Sequence, residues 1–343
     1  MAMNAMALSL RQRTVKASLV LAFFACAVTG LHGCAAPQSP APAETVEGQG
    51  AVRFTPLRLS VGEDPTQALW ALQRGPLALP LRYRVVVIPG SGCAGMGPLA
   101  DRYFRGLLHA QVTVLHKPGV HPQDTSAPAD CPSHFVQSDS LSHWAAHARV
   151  ALDQIVAIQP PASVGAAPPP LLLVGISEGA ELLPALAAVA GPDLAGVVMI
   201  SSSGLDPREA GRLQALRTGH GADWDALGRM QASTASDSSV HQGRSLRYWR
   251  DLWRWPVQQP LIDGPWPLLQ VWGERDELVP AAAYGQFAQA AQRRAAPYCA
   301  RSLPGADHGL QAPGADGVQQ VWQWVQQWGR SPGAGLCASL APH

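Results

Sequence analysis

The sequence predicts an α/β fold: a mostly parallel, doubly wound sheet with helices on both faces and a helical cap inserted over one edge. Three observations predict it. From about residue 80, short apolar runs rich in Val, Ile and Leu alternate with helix-period stretches. Strands apolar on both faces belong in a sheet covered on both sides. One such strand runs directly into a serine held between glycines, Gly175-Ile176-Ser177-Glu178-Gly179. A polar, aromatic-rich stretch at about 206–263 then interrupts the alternation.

The elements follow in order. Arg84-Val85-Val86-Val87-Ile88 is β-branched and stops at Pro89-Gly90, so it reads as a buried strand. Residues 112–115 form a second strand, stopped by Pro118-Gly119. Residues 141–158 carry helical spacing. Leu171-Leu172-Leu173-Val174 is a third strand, with a helix expected over 178–190. Residues 196–200 are a fourth strand and 268–272 a fifth, followed by a helix at about 281–294. Residues 298–303 are a sixth, followed by a helix at about 317–328. The interruption at 206–263 reads as a helical insertion rather than an independent domain. No internal repeat is visible.

Composition narrows the function. Of 343 residues, 47% are hydrophobic, so a large core is expected and global disorder is excluded. The formal net charge is +1, which offers no basic surplus for a phosphate backbone, so no nucleic-acid partner is expected. Gly and Pro are frequent but not periodic, which excludes a collagen-like chain.

The first residues read as an address. Arg11, Arg13 and Lys16 precede an apolar run from Ala17 to Leu31, too short to span a bilayer comfortably and suited to a signal-peptide core. The run ends at Leu31-His32-Gly33-Cys34. That ending resembles a bacterial lipoprotein signal, in which cleavage precedes a cysteine that then carries lipid. Gly33 fits the pattern and His32 departs from it. The resemblance implies lipidation at Cys34 and a membrane contact through that lipid. An ordinary exported protein cut nearby, or an uncleaved anchor, stay open as alternatives. The expected organisation is a signal at 1–33, a flexible tether at 34–56 rich in Ala and Pro, a main domain at 57–330 and a tail at 331–343. The location expected is exported, periplasmic or anchored at the outer membrane. Four further cysteines remain in the body, and chain proximity favours Cys93–Cys131 and Cys299–Cys337. Four free thiols are the alternative.

The chemistry centres on Ser177. A serine on a tight strand-to-helix turn is held out from the sheet edge, and glycines two residues either side prevent clashes there. A hydroxyl needs a base, expected far downstream on a loop after the last strand. His308, in Gly305-Ala306-Asp307-His308-Gly309, stands there, whereas most other histidines precede Ser177 or fall in the insertion. The base needs an acid to fix its tautomer. Asp276 follows the 268–272 strand; Glu274 and Glu277 are neighbours that spacing alone does not exclude. Asp307 reads as a turn cap. An oxyanion donor is expected from the backbone N–H of Glu178 and a second from Ser91 or Gly92, in the small-residue loop Pro89-Gly90-Ser91-Gly92-Cys93.

Strand, oxyanion loop, Gly-x-Ser-x-Gly, later Asp and last His, in that order over residues 80–330, resemble the α/β-hydrolase fold superfamily. The resemblance implies an eight-stranded, mostly parallel sheet with a cap between strands six and seven. Pro89 departs from it, because many relatives carry histidine before the oxyanion glycine. Should Cys93 pair with Cys131, the bridge would brace the oxyanion loop.

Other signals weigh less. Gly90-x-Gly92-x-x-Gly95 follows a strand, but no acid stands about 20 residues on, so a dinucleotide site is not expected. His143 and His147 could chelate zinc, yet they lack the glutamate of a metalloprotease helix. The run 246–256 alternates aromatics with arginines and reads equally as a pocket wall or as a cap helix packed on the body. The sequence therefore points to a serine hydrolase of carboxylic esters with a small-molecule ester substrate and no metal or organic cofactor. A peptidase or amidase of the same fold, or a non-catalytic tethered binding module, are the alternatives.

Overall fold

The computed structural model describes residues 52–62, 67–158 and 168–338. The expected signal, Cys34 and most of the tether lie outside the described residues.

Eight strands form one sheet: β1 (Thr55–Ser60), β2 (Ala68–Arg74), β3 (Tyr83–Ile88), β4 (Ala110–Leu115), β5 (Leu171–Ile176), β6 (Leu194–Ile200), β7 (Leu268–Gly273) and β8 (Tyr298–Leu303). Their order across the sheet is β1-β2-β4-β3-β5-β6-β7-β8. The β1–β2 and β2–β4 pairs are antiparallel; every other neighbour is parallel. β1 and β2 are additions to the reading from sequence, and β1 begins inside the stretch read as tether. Its apolar signal is faint because it is an edge strand that buries only Leu59.

Alternation along the central strands sorts the core into two layers. Val86, Ile88, Leu171 and Leu173 face one side, where α3 (Leu141–Ala157), α4 (Leu183–Ala187) and α9 (Ala281–Ala291) pack. Val85, Val87, Leu172 and Val174 face the other, against α1 (Gly97–Tyr103) and α10 (Gly317–Trp328) through Phe104 and Trp322. Hydrophobic burial on both faces of one sheet defines the doubly wound layer architecture. The short α2 (Ser133–Ser138) leads into α3. Ser140 and Asp316 cap α3 and α10, each accepting a backbone N–H in the first turn.

The expected cap is present as four helices: α5 (Pro207–Arg217), α6 (Gly221–Gln231), α7 (Leu246–Leu252) and α8 (Gln258–Asp263). It stands between the sixth and seventh strands. On α7, Tyr248, Trp249 and Leu252 are buried. Arg247, Arg250 and Arg254 instead line an open cavity of about 580 Å³ with Ser138, His143 and Asp251. Of the aromatics of this run, Tyr248 and Trp255 reach the body at Glu178 and Glu181, Trp249 and Trp253 pack on Trp224 of the cap, and the arginine face borders a cavity whose lining does not include Ser177.

Two boundaries differ from expectation. The helix expected over 178–190 is a 3₁₀ turn at Ser177–Leu182 followed by the short α4. Pro184 has no N–H to continue the earlier turn and suits the first turn of α4. The tail from residue 331 is also docked up to its last described residues. Leu336 is fully buried and Cys337 is bonded to Cys299 on β8.

Candidate active site

Register brings the site together. Ile88 lies opposite Gly175, Ile176 opposite Ile200, Ile200 opposite Val271, and Gly273 opposite Leu303. The strands thus end in step, and the loops beyond β3, β5, β6, β7 and β8 open onto one edge. In open α/β sheets that carboxyl edge is where ligands bind.

Ser177 occupies the turn after β5 with φ of +52°, in the left-handed region that a side chain rarely adopts. Such a conformation costs on the order of 1–3 kcal/mol and persists only where surrounding structure enforces it. The enforcement is steric. A Cβ at Gly175 would come within 2.4 Å of Ala180 Cα, and one at Gly179 within 2.3 Å of the Ile88 carbonyl oxygen. Only glycines let the turn close this tightly.

His308 lies 131 residues further on, in the loop after β8, with its Nε2 3.1 Å from Ser177 Oγ. Its Nδ1 stands 2.9 Å from Asp276 Oδ2 and 3.0 Å from Oδ1. An Nδ1–H donated to the carboxylate leaves Nε2 free to accept the serine proton. Ser201, at the end of β6, donates its hydroxyl to the His308 carbonyl at 2.6 Å and fixes the backbone beneath the ring.

Of the three candidate acids, Asp276 is the one within hydrogen-bond distance of His308. Its Oδ1 accepts from the backbone N–H groups of Leu278 (2.8 Å) and Val279 (2.9 Å), and its Oδ2 from the Tyr284 hydroxyl (2.8 Å). Burial raises the carboxyl, but His308, Val279 and Tyr284 outweigh it and hold Asp276 below the ordinary carboxylate range. Tyr284 itself is pushed well above the usual phenol range, by burial and by Asp276, so it remains a donor. Glu274 and Glu277 are both exposed. The Glu274 side chain accepts from Ser302, away from the imidazole. Asp307 accepts from the backbone of Gln311 at 2.8 Å, the turn-capping role expected of it.

The loop after β3 lies beside the nucleophile: a Cβ on Gly90 would sit 3.4 Å from Ser177 Cβ. Gly92 has φ of +98° and packs against Pro128. Ser91 Oγ is buried and has no hydrogen-bond partner among the described residues. The Cys93–Cys131 disulfide clamps this loop, and Cys299–Cys337 closes the other expected pair. His116, fully buried, accepts from the Met96 N–H at 3.0 Å and reaches the Trp70 carbonyl at 3.3 Å. Burial holds its imidazole down at about 4, so it stays neutral.

A second set of polar groups behind the serine has no counterpart in the motif reading. Glu178, Lys117, Asp139, Arg244 and Tyr248 form a buried ionic cluster. One sequence signal pointed to it. The chain has two lysines, Lys16 and Lys117, against 23 arginines. Lys117, the one lysine among the described residues, is buried against Glu178, the residue after Ser177. His143 and His147 pack ring on ring at 4.2 Å on α3, and among the described residues no third metal-ligating side chain joins them.

The strand order and flanking helices are those of the α/β-hydrolase fold. Solved structures agree on this fold. The chain is similar to Est1E from Butyrivibrio proteoclasticus, solved with ferulic acid bound, at TM-score 0.57 and 17% identity, over 81% of this chain and 99% of that one. It is similar to an esterase domain from Rhodothermus marinus at TM-score 0.51 and 19% identity, over 81% and 98%. A puromycin-hydrolyzing peptidase from Mycobacterium tuberculosis aligns at TM-score 0.54 and 16% identity, over 84% of this chain and 40% of that one. No protein-family model and no curated protein sequence matches the chain.

Proposed function

We propose that the protein is a serine hydrolase that cleaves carboxylic esters through an acyl-enzyme. The observation that carries this reading is the unbroken hydrogen-bond path from Ser177 through His308 to Asp276, at 3.1 and 2.9 Å. In it, Ser177 Oγ attacks the acyl carbon while His308 Nε2 takes its proton, and Asp276 steadies the imidazolium that forms. The backbone N–H of Glu178 and one from the Ser91–Gly92 loop hold the oxyanion, each worth about 3 kcal/mol in the transition state. His308 then hands its proton to the leaving alkoxide. Water, deprotonated by the same imidazole, releases the acid and restores the serine.

Neighbours of the fold that are named as esterases support ester chemistry, while the neighbour named as a peptidase keeps an amide reading in view. Turnover of an aryl ester and of a matched peptide amide separates the two. Ester cleavage with little amide cleavage is expected, and the reverse would replace the ester reading. A fluorophosphonate probe is expected to label Ser177 in the folded protein. Intact protein left unlabelled would speak for the non-catalytic binding alternative.

The same reading includes export and a lipid anchor at Cys34. Two disulfides suit an oxidising compartment, and among the described residues no helix is long and apolar enough to cross a membrane. Metabolic labelling with an alkyne fatty acid should mark the protein and fail in Cys34→Ser; equal labelling of both would remove the anchor.

A further inference from the structure

Glu178 poses an electrostatic problem. Its backbone N–H is one of the proposed oxyanion donors, yet its side chain is a carboxylate, the wrong sign of charge beside a developing alkoxide. The surroundings answer it. Lys117 Nζ lies 2.7 Å from Glu178 Oε2, Arg244 Nη2 lies 3.8 Å from the same oxygen, and the Tyr248 hydroxyl donates to Oε1 at 2.5 Å. Asp139 completes the set: Lys117 Nζ stands 3.1 and 3.3 Å from its two oxygens, and Arg244 pairs with Oδ2.

Two cations and two anions thus close a group without net charge. Burial raises the Glu178 carboxyl, but Lys117 and Arg244 reverse the shift and hold it below the usual range, so it is ionised. Burial and the neighbouring Glu178 hold the carboxyl of Glu181, one turn on, well above that range. The lysine is fitted to its place. Its ammonium sits 4.5 Å from the Trp144 ring centroid and 5.9 Å from that of Phe135, between two carboxylates. A compact point charge suits that cage better than a planar guanidinium.

Stability alone is a poor reason for such a cluster, since apolar replacement of a buried ion group is often neutral or favourable. Its position gives a better one. Lys117 follows β4, Asp139 precedes α3, Glu178 follows the nucleophile, and Arg244 and Tyr248 belong to the cap.

We propose that Lys117 and Arg244 are positioning residues for the oxyanion site, neutralising Glu178 and holding its backbone N–H in register with Ser177, with the docked cap supplying half of the clamp. This rests on the serine-hydrolase reading above. The cap, on this account, is a structural part of the catalytic edge at its Arg244 end and does not swing free there during turnover.

The test is a charge-balance cycle on an aryl acetate, with every variant compared at one fixed, mildly alkaline pH. Lys117→Met leaves Glu178 undercompensated and should lower kcat about 100-fold with KM within about threefold. Adding Glu178→Gln restores neutrality, so the double variant should recover to within about tenfold of the wild type. Tyr248→Phe removes one hydrogen bond to Glu178 and should lower kcat about fivefold at unchanged KM; it decides the matter if Lys117→Met does not fold. Folded single variants with wild-type kcat, or a double variant no better than Lys117→Met, would overturn the inference and reduce the cluster to a structural brace. Wild-type protein that neither turns over ester nor labels at Ser177 would instead remove the underlying reading.

Discussion

Two sets of polar groups flank Ser177, built on opposite plans. On the open side His308 and Asp276 form a short relay carried by two loops, with the imidazole side chain 15% exposed and the acid 2% exposed. On the closed side Lys117, Asp139, Glu178 and Arg244 form a compact ionic group, with Lys117 2% and Asp139 3% exposed. The central ring of the relay has room and one partner residue on each nitrogen, as the proposed proton transfer requires. The closed side has no proton to move. It holds fixed charges in a low-dielectric setting, where every misplaced charge is felt strongly.

That contrast can be broken from either side. The largest effect should follow loss of the relay's first member: Ser177→Ala is expected to lower kcat for an aryl ester by several powers of ten with little change in KM, read by steady-state kinetics. Asp276→Asn should come next, with kcat down about 10³–10⁴-fold, because the amide favours the wrong imidazole tautomer. Retained activity in either variant would mean that the relay is not used.

Smaller effects concern the frame around the closed side. Cys93–Cys131 closes a loop with a sequence separation of 38. Opening it by a double Cys→Ser change should lower unfolding free energy by up to about 4 kcal/mol, visible in urea titration. It should also lower kcat, because the bridge clamps the loop beside Ser177. A fall in stability with kcat intact would separate that loop from the oxyanion site.

The smallest effect is in pH. His116 has its folded pKa depressed from 6.5 to about 4 by burial. The unfolded chain therefore binds the extra proton first as pH falls. The stability contributed by neutral His116 is complete above about pH 6.5 and lost as pH falls towards 4, up to about 3 kcal/mol. Urea midpoints of the wild type should decline over that window, and those of a folded His116→Gln variant should decline less. Parallel declines would remove His116 as the cause.

The two sides also differ in how far they could be read from residues alone. The relay was legible because each member follows a recognisable strand. Val174 leads into Ser177, Trp272 into the Asp276 loop, and Leu303 into the His308 loop. The ionic cluster was not, because its members lie in four separate stretches and form no spacing pattern; only the isolation of Lys117 among 23 arginines marks it. The same holds for the fold. The strands β3, β5 and β6 announce themselves through nearly continuous apolar runs, and β4, β7 and β8 through shorter ones. The antiparallel β1–β2 edge is half solvated, and Arg74 on β2 is buried only because the carbonyls of Phe104, Leu107 and Ala110 accept its guanidinium. Such partners are set by tertiary structure and have no local signature.

The central claim is that Ser177 carries the acyl group, activated by His308. Its most direct measurement is peptide mapping of protein acid-quenched during the first turnovers of p-nitrophenyl acetate, for the wild type and His308→Ala. The account predicts a burst of nitrophenol with one acetyl group on the Ser177 peptide in the wild type and none in the variant at the same time. An acetyl group on another residue, or equal acetylation of Ser177 without His308, would contradict it.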